Sequence, residues 1–336
     1  MKKYIEKIEN GQHLSAELMQ SAMKEIMSGA VSSDDLSSFL LALREKGPTV
    51  EEITGAALTM RKFSIKVNSQ KHENILDTCG TGGDKLGTFN ISTIVAFVVA
   101  GAGAIVAKHG NRSVSSKCGS ADVLESLGVN VQMDVTRLND CLDKVGIAFL
   151  FAQKLHPAMK HAAPIRKSLG VETIFNVLGP LTNPAQATHQ MMGIYKQEFV
   201  EPMAHALKNL GLKKALVVHG VDGLDEITTT AKTFASEFNG KEVVSYIISP
   251  EKYDIPYSSL EDIVGGDLDV NAQIVQDILN GEKSPKRDIV VLNAGHALYI
   301  GELAKSVEEG IEQAKYSIDS GKALKKLEFL KQYTNQ

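Results

Sequence analysis

The chain has 336 residues, too many for one core of ordinary size, so a large domain with a smaller one beside it is the first expectation. Hydrophobic residues make up 43% and charged ones 23%, and the net charge of −4 argues against a general nucleic-acid binder, which carries a positive excess. Cys79, Cys118 and Cys141 form an odd set with no zinc-ligand spacing and are expected to remain reduced thiols. The opening MKKYIEKIENGQHLS holds no apolar run of signal-peptide length, so a cytoplasmic setting is expected. The longest apolar stretch, Ile91 to Ala107, contains Ser92, Thr93 and a Gly101-Ala102-Gly103-Ala104 run. It reads as a buried helix followed by a buried strand, not as a membrane span.

The first third has helical periodicity. Ser15 caps a helix to about Met27, with Leu18, Met19, Ala22, Met23 and Ile26 on one face and Leu14 and Met19 stapling the entry. Gly29 is the stop. A second helix is predicted from Asp34 to Lys46, ended by Gly47-Pro48. A third starts at Thr49, whose partner Glu52 completes a capping box, and runs to about Phe63.

Short apolar runs then suit buried strands: Ile75-Leu76, Ala104 to Ala107, Val129 to Val131, Ile147 to Phe151, Gln190 to Tyr195 and Ala215 to His219. Between them lie amphipathic helical stretches such as Val135 to Val145 and Gln197 to Leu210. His156 to Leu178 reads as helix again, punctuated by Pro157, Pro164 and Pro180, and is placed against the N-terminal helices. Two alternating runs around Asn239-Gly240 predict a hairpin within Thr228 to Ile248. Helices around Ala272 to Leu279, Asp288 to Ile300 and Val307 to Ile318 close the chain. The fold class expected is α/β: a small N-terminal helical domain plus a larger α/β domain with a mostly parallel central sheet. The helical domain would take residues 1–70, with 153–188 packing back onto it, and the α/β domain 71–152 and 189–336.

Four segments carry chemistry. Asp77-Thr78-Cys79-Gly80-Thr81-Gly82-Gly83-Asp84, followed by Asn90-Ile91-Ser92-Thr93, brings a strand through a glycine-rich loop to a helix start. Bare backbone amides and a helix N-terminus make an anion cradle there, although the glycines alone fit a tight turn equally well. Lys108-His109-Gly110-Asn111-Arg112-Ser113-Val114-Ser115-Ser116-Lys117-Cys118-Gly119-Ser120 follows a strand, where open α/β sheets bind ligands, and its cations and hydroxyls suit a polyphosphate. Asp222-Gly223-Leu224-Asp225-Glu226 offers carboxylates for magnesium, although alone it reads more simply as a surface turn. Arg166, within Pro164 to Gly170 and ahead of Asn176 to Pro184, has the fork to bind a carboxylate; alone it reads as a surface or inter-helix arginine.

The stretches DTCGTGGD, FNIST, KHGNRSVSSKCGSADVLE, APIRKSLGVETIFNVLGPLTNP and GLDEI, spread in order from residue 77 to 227, together resemble the anthranilate phosphoribosyltransferase family, with no departure at the motif positions. The resemblance implies transfer of the phosphoribosyl group of 5-phosphoribosyl 1-pyrophosphate to the amino group of anthranilate, in tryptophan biosynthesis. It implies a site between the two domains, hinges near residues 65–75 and 185–190, a homodimer formed through the helical domain, and Mg2+. It assigns phosphoribosyl pyrophosphate to Gly80, Gly83, Asp84, Thr88, Asn90, Ile91, Ser92, Thr93, Lys108, Asn111, Arg112, Ser113, Ser115, Ser116 and Ser120. Anthranilate falls to Gly80, His109, Asn111, Arg166 and Gly179, and magnesium to Ser92, Asp225 and Glu226. Lys108, His109 and Arg166 are the expected catalytic residues, with no obvious general base. No nucleic acid and no membrane are expected as partners. A pyrimidine nucleoside phosphorylase shares the Lys-His-Gly-Asn and Gly-Ser-Ala-Asp-Val-Leu-Glu stretches and needs no magnesium; Asn-Ile-Ser-Thr, Asp225-Glu226 and Arg166 favour the transferase. A non-catalytic relative that binds nucleic acid is the other alternative, which the negative charge disfavours.

Overall fold

The computed structural model describes residues 1–112 and 118–336. Four helices open the chain: α1 (Lys2–Glu9), α2 (Ala16–Met27), α3 (Ser33–Lys46) and α4 (Val50–Phe63). The predicted caps form. Ser15 Oγ accepts from Leu18 N at 3.3 Å. Thr49 and Glu52 exchange both capping-box bonds, at 3.3 and 2.8 Å. The Glu52 carboxylate is wholly buried and also pairs with Lys46 Nζ at 2.8 Å and accepts from Leu14 N at 2.9 Å. One cap thus ties three segments. α2 and α4 touch so closely that a Cβ on Gly55 would sit 2.5 Å from Ala16 O. α1 lies outside the sequence expectations: only Tyr4, Ile5 and Ile8 face inward, and no side chain caps its start.

Seven strands form one sheet: β1 (Leu76–Gly80), β2 (Val106–Gly110), β3 (Ile147–Phe151), β4 (His189–Gly193), β5 (Lys214–Gly220), β6 (Thr233–Phe238) and β7 (Val243–Ile248), in the order β3-β2-β1-β4-β5-β6-β7. β1 to β5 are parallel. β6 and β7 add an antiparallel hairpin across the Asn239-Gly240 turn, with Gly240 at φ +94°. α5 (Ile91–Gly101) is buried nearly all round, between the sheet and the helices Pro285–Ile300 and Lys322–Thr334. One apolar core covers that face. The other face, through Met192, Ile194, Met203, Ala215 and Val217, is continuous with the core of α1 to α4.

Three expectations need correction. Val129 to Val131 is not a strand. Val129 N closes the helix Ser120–Ser126 onto Leu124 O, Asn130 N bonds to Thr334 Oγ1, and the two valines are buried between these anchors. His156 to Leu178 is not one helix but a 3₁₀ turn Pro157–His161, a helix Ala163–Leu169 ended by Gly170 at φ +62°, and a short helix Phe175–Leu178. The prolines open the first, second and following turns, as their locked φ and missing N–H dictate. The 3₁₀ turn packs on α2 and the helix Ala163–Leu169 on α3. Finally, β2 starts two residues later than expected and runs through Lys108 and His109 to Gly110. The terminal helix Lys322–Thr334 is a further element that the sequence pattern does not announce. Among the described residues no helix is long and apolar enough to cross a membrane.

Candidate active site

Because β2 continues to Gly110, Lys108 and His109 project from opposite faces of the sheet. Parallel pairing aligns β1 beside it, so that Thr78 shares the face of Lys108 and Asp77 that of His109. Each face builds a different half of the site.

On the first face, Lys108 Nζ donates to Thr78 O at 2.6 Å and to Ser92 Oγ at 3.2 Å. Ser92 belongs to the first turn of α5, and its N–H donates to Glu226 Oε1 at 3.1 Å. Burial pulls the Lys108 ammonium down from the usual lysine range, while Asp77, Cys79 and Glu226 push it back up. The acidic loop after β5 closes in from the far side. Asp225 Oδ2 accepts from Gly82 N at 2.7 Å. The fit leaves no room for side chains: a Cβ on Gly80 would lie 2.4 Å from Asp225 Oδ2, and one on Gly193 1.5 Å from Asp225 O. That close approach is why glycine stands at both positions.

Asp225 is held far above the usual carboxylate range by burial first and then by the charges of Asp84 and Glu226. Glu226 is raised too, chiefly by burial, with Lys108 opposing. Asp84 Oδ2 is buried with no hydrogen-bond donor. The like charges around Asp225 and the missing donor at Asp84 suit a hard divalent cation that takes oxygen ligands. Among the described residues no three acidic, His or Cys side chains converge as a ready-made cage. Magnesium takes few protein ligands and completes its shell with water and substrate phosphate, so the two carboxylates Asp225 and Glu226 could serve it. Asp222, at the head of the same acidic run, plays another part: Oδ1 accepts from Leu224 N at 3.1 Å and Oδ2 from the Thr228 hydroxyl at 2.7 Å, folding the loop.

The phosphate-cradle residues are placed unevenly. Gly83 sits at φ +89° on an exposed loop, and Thr88 bridges to Val264. Asn90 caps α5 without a side-chain capping bond; its Nδ2 donates to Cys118 O at 3.2 Å, while Oδ1 is buried and unpartnered. Ile91 and Thr93 turn into the core. Asn111 and Ser120 meet, with Ser120 Oγ accepting from Asn111 N at 3.3 Å. Arg112 is already engaged: its guanidinium pairs with Asp122 at 2.7 Å and Glu125 at 2.6 Å and lies over Phe151. Ser113, Ser115 and Ser116 lie outside the described residues.

On the second face, Asp77 is wholly buried. Oδ1 accepts from His109 N at 3.1 Å and Oδ2 from Asn183 Nδ2 at 2.8 Å. Burial raises its carboxyl to about 6. Asn183 also donates to Ala107 O at 2.8 Å, so one amide bridges β1, β2 and the segment that carries Gly179. His109 and His156 bring their Nε2 atoms to 3.2 Å. Burial, then the neighbouring His156, holds His109 well below the imidazole range, and burial lowers His156 to about 4. Both are therefore neutral at pH 7, and one ring donates to the other across this contact. A ring so engaged orients and fills; it is a poor proton acceptor. Arg166, half-buried on the helix Ala163–Leu169, stacks over Phe175 at 5.3 Å. Burial lowers its pKa, and among the described residues no carboxylate pairs with it. A half-buried cation with an open planar edge has the chemistry to take a carboxylate.

Asp77, His156, Asn183 and the role of Asp84 beside Asp225 are additions to the sequence reading. A separate cavity of about 430 Å³, lined by His72, His189, Lys213 and Glu302 among others, opens at the amino ends of β1, β4 and β5 and contains none of these groups. All three cysteines are buried and none is in a disulfide.

Comparison with known proteins agrees along the whole chain. Residues 72–324 match the family described as glycosyl transferase family, a/b domain, and residues 2–64 its helical bundle domain. The anthranilate phosphoribosyltransferase of Acetivibrio thermocellus is 52% identical over 335 residues, covering 100% of this chain and 97% of its own. The crystal structure of anthranilate phosphoribosyltransferase from Thermus thermophilus superposes with a TM-score of 0.94 at 39% identity, covering 99% of each chain. The Saccharomyces cerevisiae enzyme in complex with PRPP and Mg superposes at 0.90 and 27% identity, over 99% of this chain and 97% of its own. The two-faced site at the carboxyl ends of β1, β2 and β5, on a fold matched from end to end, places this chain in the anthranilate phosphoribosyltransferase family.

Proposed function

We propose that this chain transfers the phosphoribosyl group of 5-phosphoribosyl 1-pyrophosphate to the amino group of anthranilate, giving N-(5-phosphoribosyl)anthranilate and pyrophosphate, in tryptophan biosynthesis. The observation that carries the reading is the meeting at Ser92 of Lys108 (3.2 Å to Oγ) and Glu226 (3.1 Å to N), at the N-terminus of a helix. A cation, a carboxylate and the positive end of a helix at one point are what a pyrophosphate leaving with its metal requires.

Substitution at the anomeric carbon builds positive charge on the ribose and negative charge on the departing pyrophosphate. Lys108, fixed by two hydrogen bonds and dehydrated by burial, offers its charge to the leaving group without reorganising. The exposed glycine loop at Gly83 and the positive end of α5 hold the phosphates. Asp225 and Glu226, with Asp84 beside them and Ser92 Oγ, would hold Mg2+, which supplies further neutralisation of the pyrophosphate. Arg166 binds the carboxylate of anthranilate. The amine of anthranilate is aromatic and neutral at pH 7, so it attacks without a strong base, and His109, tied to His156, lines its path. Much of the acceleration then comes from holding two substrates in line.

Two bodies, residues 1–70 with 153–188 and residues 71–152 with 189–336, close over the substrates about crossings near 65–75 and 185–190. Support comes from crossings that run side by side: Ile65 N donates to Leu155 O at 2.9 Å and Val67 N to Pro184 O at 3.2 Å. The chain works in the cytoplasm as a homodimer joined through α1 to α4, where Leu18 and Leu41 are exposed. Sedimentation equilibrium reads the dimer, and a monomer at all concentrations would remove that part. The transfer itself is tested by loss of anthranilate fluorescence upon addition of phosphoribosyl pyrophosphate, with and without magnesium.

A further inference from the structure

The loop that carries Asp225 and Glu226 is shaped at its head by Asp222. Its exit, at Ile227, is held by a residue far away in sequence. Asn293 lies in the middle of the helix Pro285–Ile300, wholly buried. Its Oδ1 accepts from Ile227 N at 3.0 Å, and its Nδ2 donates to Ile227 O at 2.7 Å and to Ile289 O at 2.8 Å. An amide that grips both the N–H and the C=O of one residue fixes the position and the orientation of its backbone. The neighbours Ile289, Val290, Leu292 and Ala294 are buried apolar residues, so an apolar side chain at this position would leave the buried N–H and C=O of Ile227 without these partners and its peptide unfixed. The same helix packs along α5, whose first turn presents Ser92. It therefore holds the acidic loop and the N-terminus of α5 in one frame.

We propose that Asn293 is a positioning residue of the transfer site: by gripping Ile227 it aims the adjoining carboxylates of Asp225 and Glu226 at the divalent cation. The inference rests on the function proposed above. Asn293 touches neither substrate nor cation and acts through the peptide next to Glu226. Groups that hold ligating side chains in place govern metal affinity nearly as strongly as the ligands do.

The test is a Mn2+ titration followed by the electron paramagnetic resonance of free Mn2+, with phosphoribosyl pyrophosphate present, on the wild-type protein, Asn293→Ala and Ser317→Ala. Ser317 is equally buried and donates to Val98 O at 2.7 Å, so its loss costs core stability without touching the acidic loop. Asn293→Ala is expected to weaken Mn2+ binding about tenfold or more and to raise the magnesium needed for half-maximal rate in proportion, with KM for anthranilate changed less than about twofold. Ser317→Ala is expected to bind Mn2+ as the wild type does. Unchanged Mn2+ affinity in folded Asn293→Ala overturns the proposal, as does equal weakening in Ser317→Ala. Should Asn293→Ala not fold, Asn293→Thr, close to asparagine in volume but too short to grip both groups of Ile227, is read in the same way. A wild-type protein that neither binds Mn2+ nor transfers ribose overturns the functional reading, and the role of Asn293 with it; failure confined to the variant overturns the role alone.

Discussion

Arg166→Ala should lower kcat/KM for anthranilate by roughly 30- to 100-fold while leaving KM for phosphoribosyl pyrophosphate within about twofold, because truncating one partner of a desolvated charge pair costs about 2 kcal/mol or more. The lower end of that range applies because Arg166 is only half-buried. The guanidinium stacks on Phe175 and meets no carboxylate among the described residues, so its fork remains available to a planar acid. Arg166→Lys should recover part of the loss, since the charge returns but the bidentate edge does not. Removal costs the fold little, for the same want of a protein partner. Steady-state kinetics with each substrate varied in turn checks this. Equal losses toward both substrates in a folded variant would contradict the role.

Lys108→Met should lower kcat by about 10²- to 10³-fold, the cost of removing one preorganised group from developing negative charge. Methionine keeps the chain's shape and removes only its ammonium. The stability effect is a balance. The side chain is 3% exposed, and relief from burying a charge offsets the two hydrogen bonds lost at Thr78 and Ser92. The melting temperature should therefore shift by only a few degrees, on the order of 1 kcal/mol for a chain of this size. Arginine should restore the rate only in part, since its planar fork sets the charge differently from an ammonium. A variant that melts much earlier but turns over normally per folded molecule would make Lys108 structural.

Local signals were legible where local physics decides. Ser15, Thr49 and Glu52 stood at helix starts because capping is read within four residues. Asn239-Gly240 marked its hairpin for the same reason. The strands were harder. β1 and β2 run on through Asp77, Lys108 and His109, residues that a strand pattern excludes but a buried parallel sheet accepts when each polar group has a partner. Val129 and Val131 misled in the opposite direction, apolar and β-branched yet buried in a helix-ending turn. Site partners were the least legible. His156 lies 47 residues from His109, Asn183 106 from Asp77, and Asp225 143 from Gly82. Such pairs are set by which strands become neighbours in the sheet, and no spacing in one sequence announces them. The capture of Arg112 by Asp122 and Glu125 was invisible for a different reason: charge within a loop gives no sign of which acid it will choose.

The most direct test follows anthranilate fluorescence with the purified chain, phosphoribosyl pyrophosphate and Mg2+, then with excess chelator. Loss of signal that needs both the cosubstrate and the metal, with one pyrophosphate released per anthranilate consumed, is the predicted result. No loss of signal in a folded, magnesium-loaded protein, or loss that persists in chelator, would contradict the assignment.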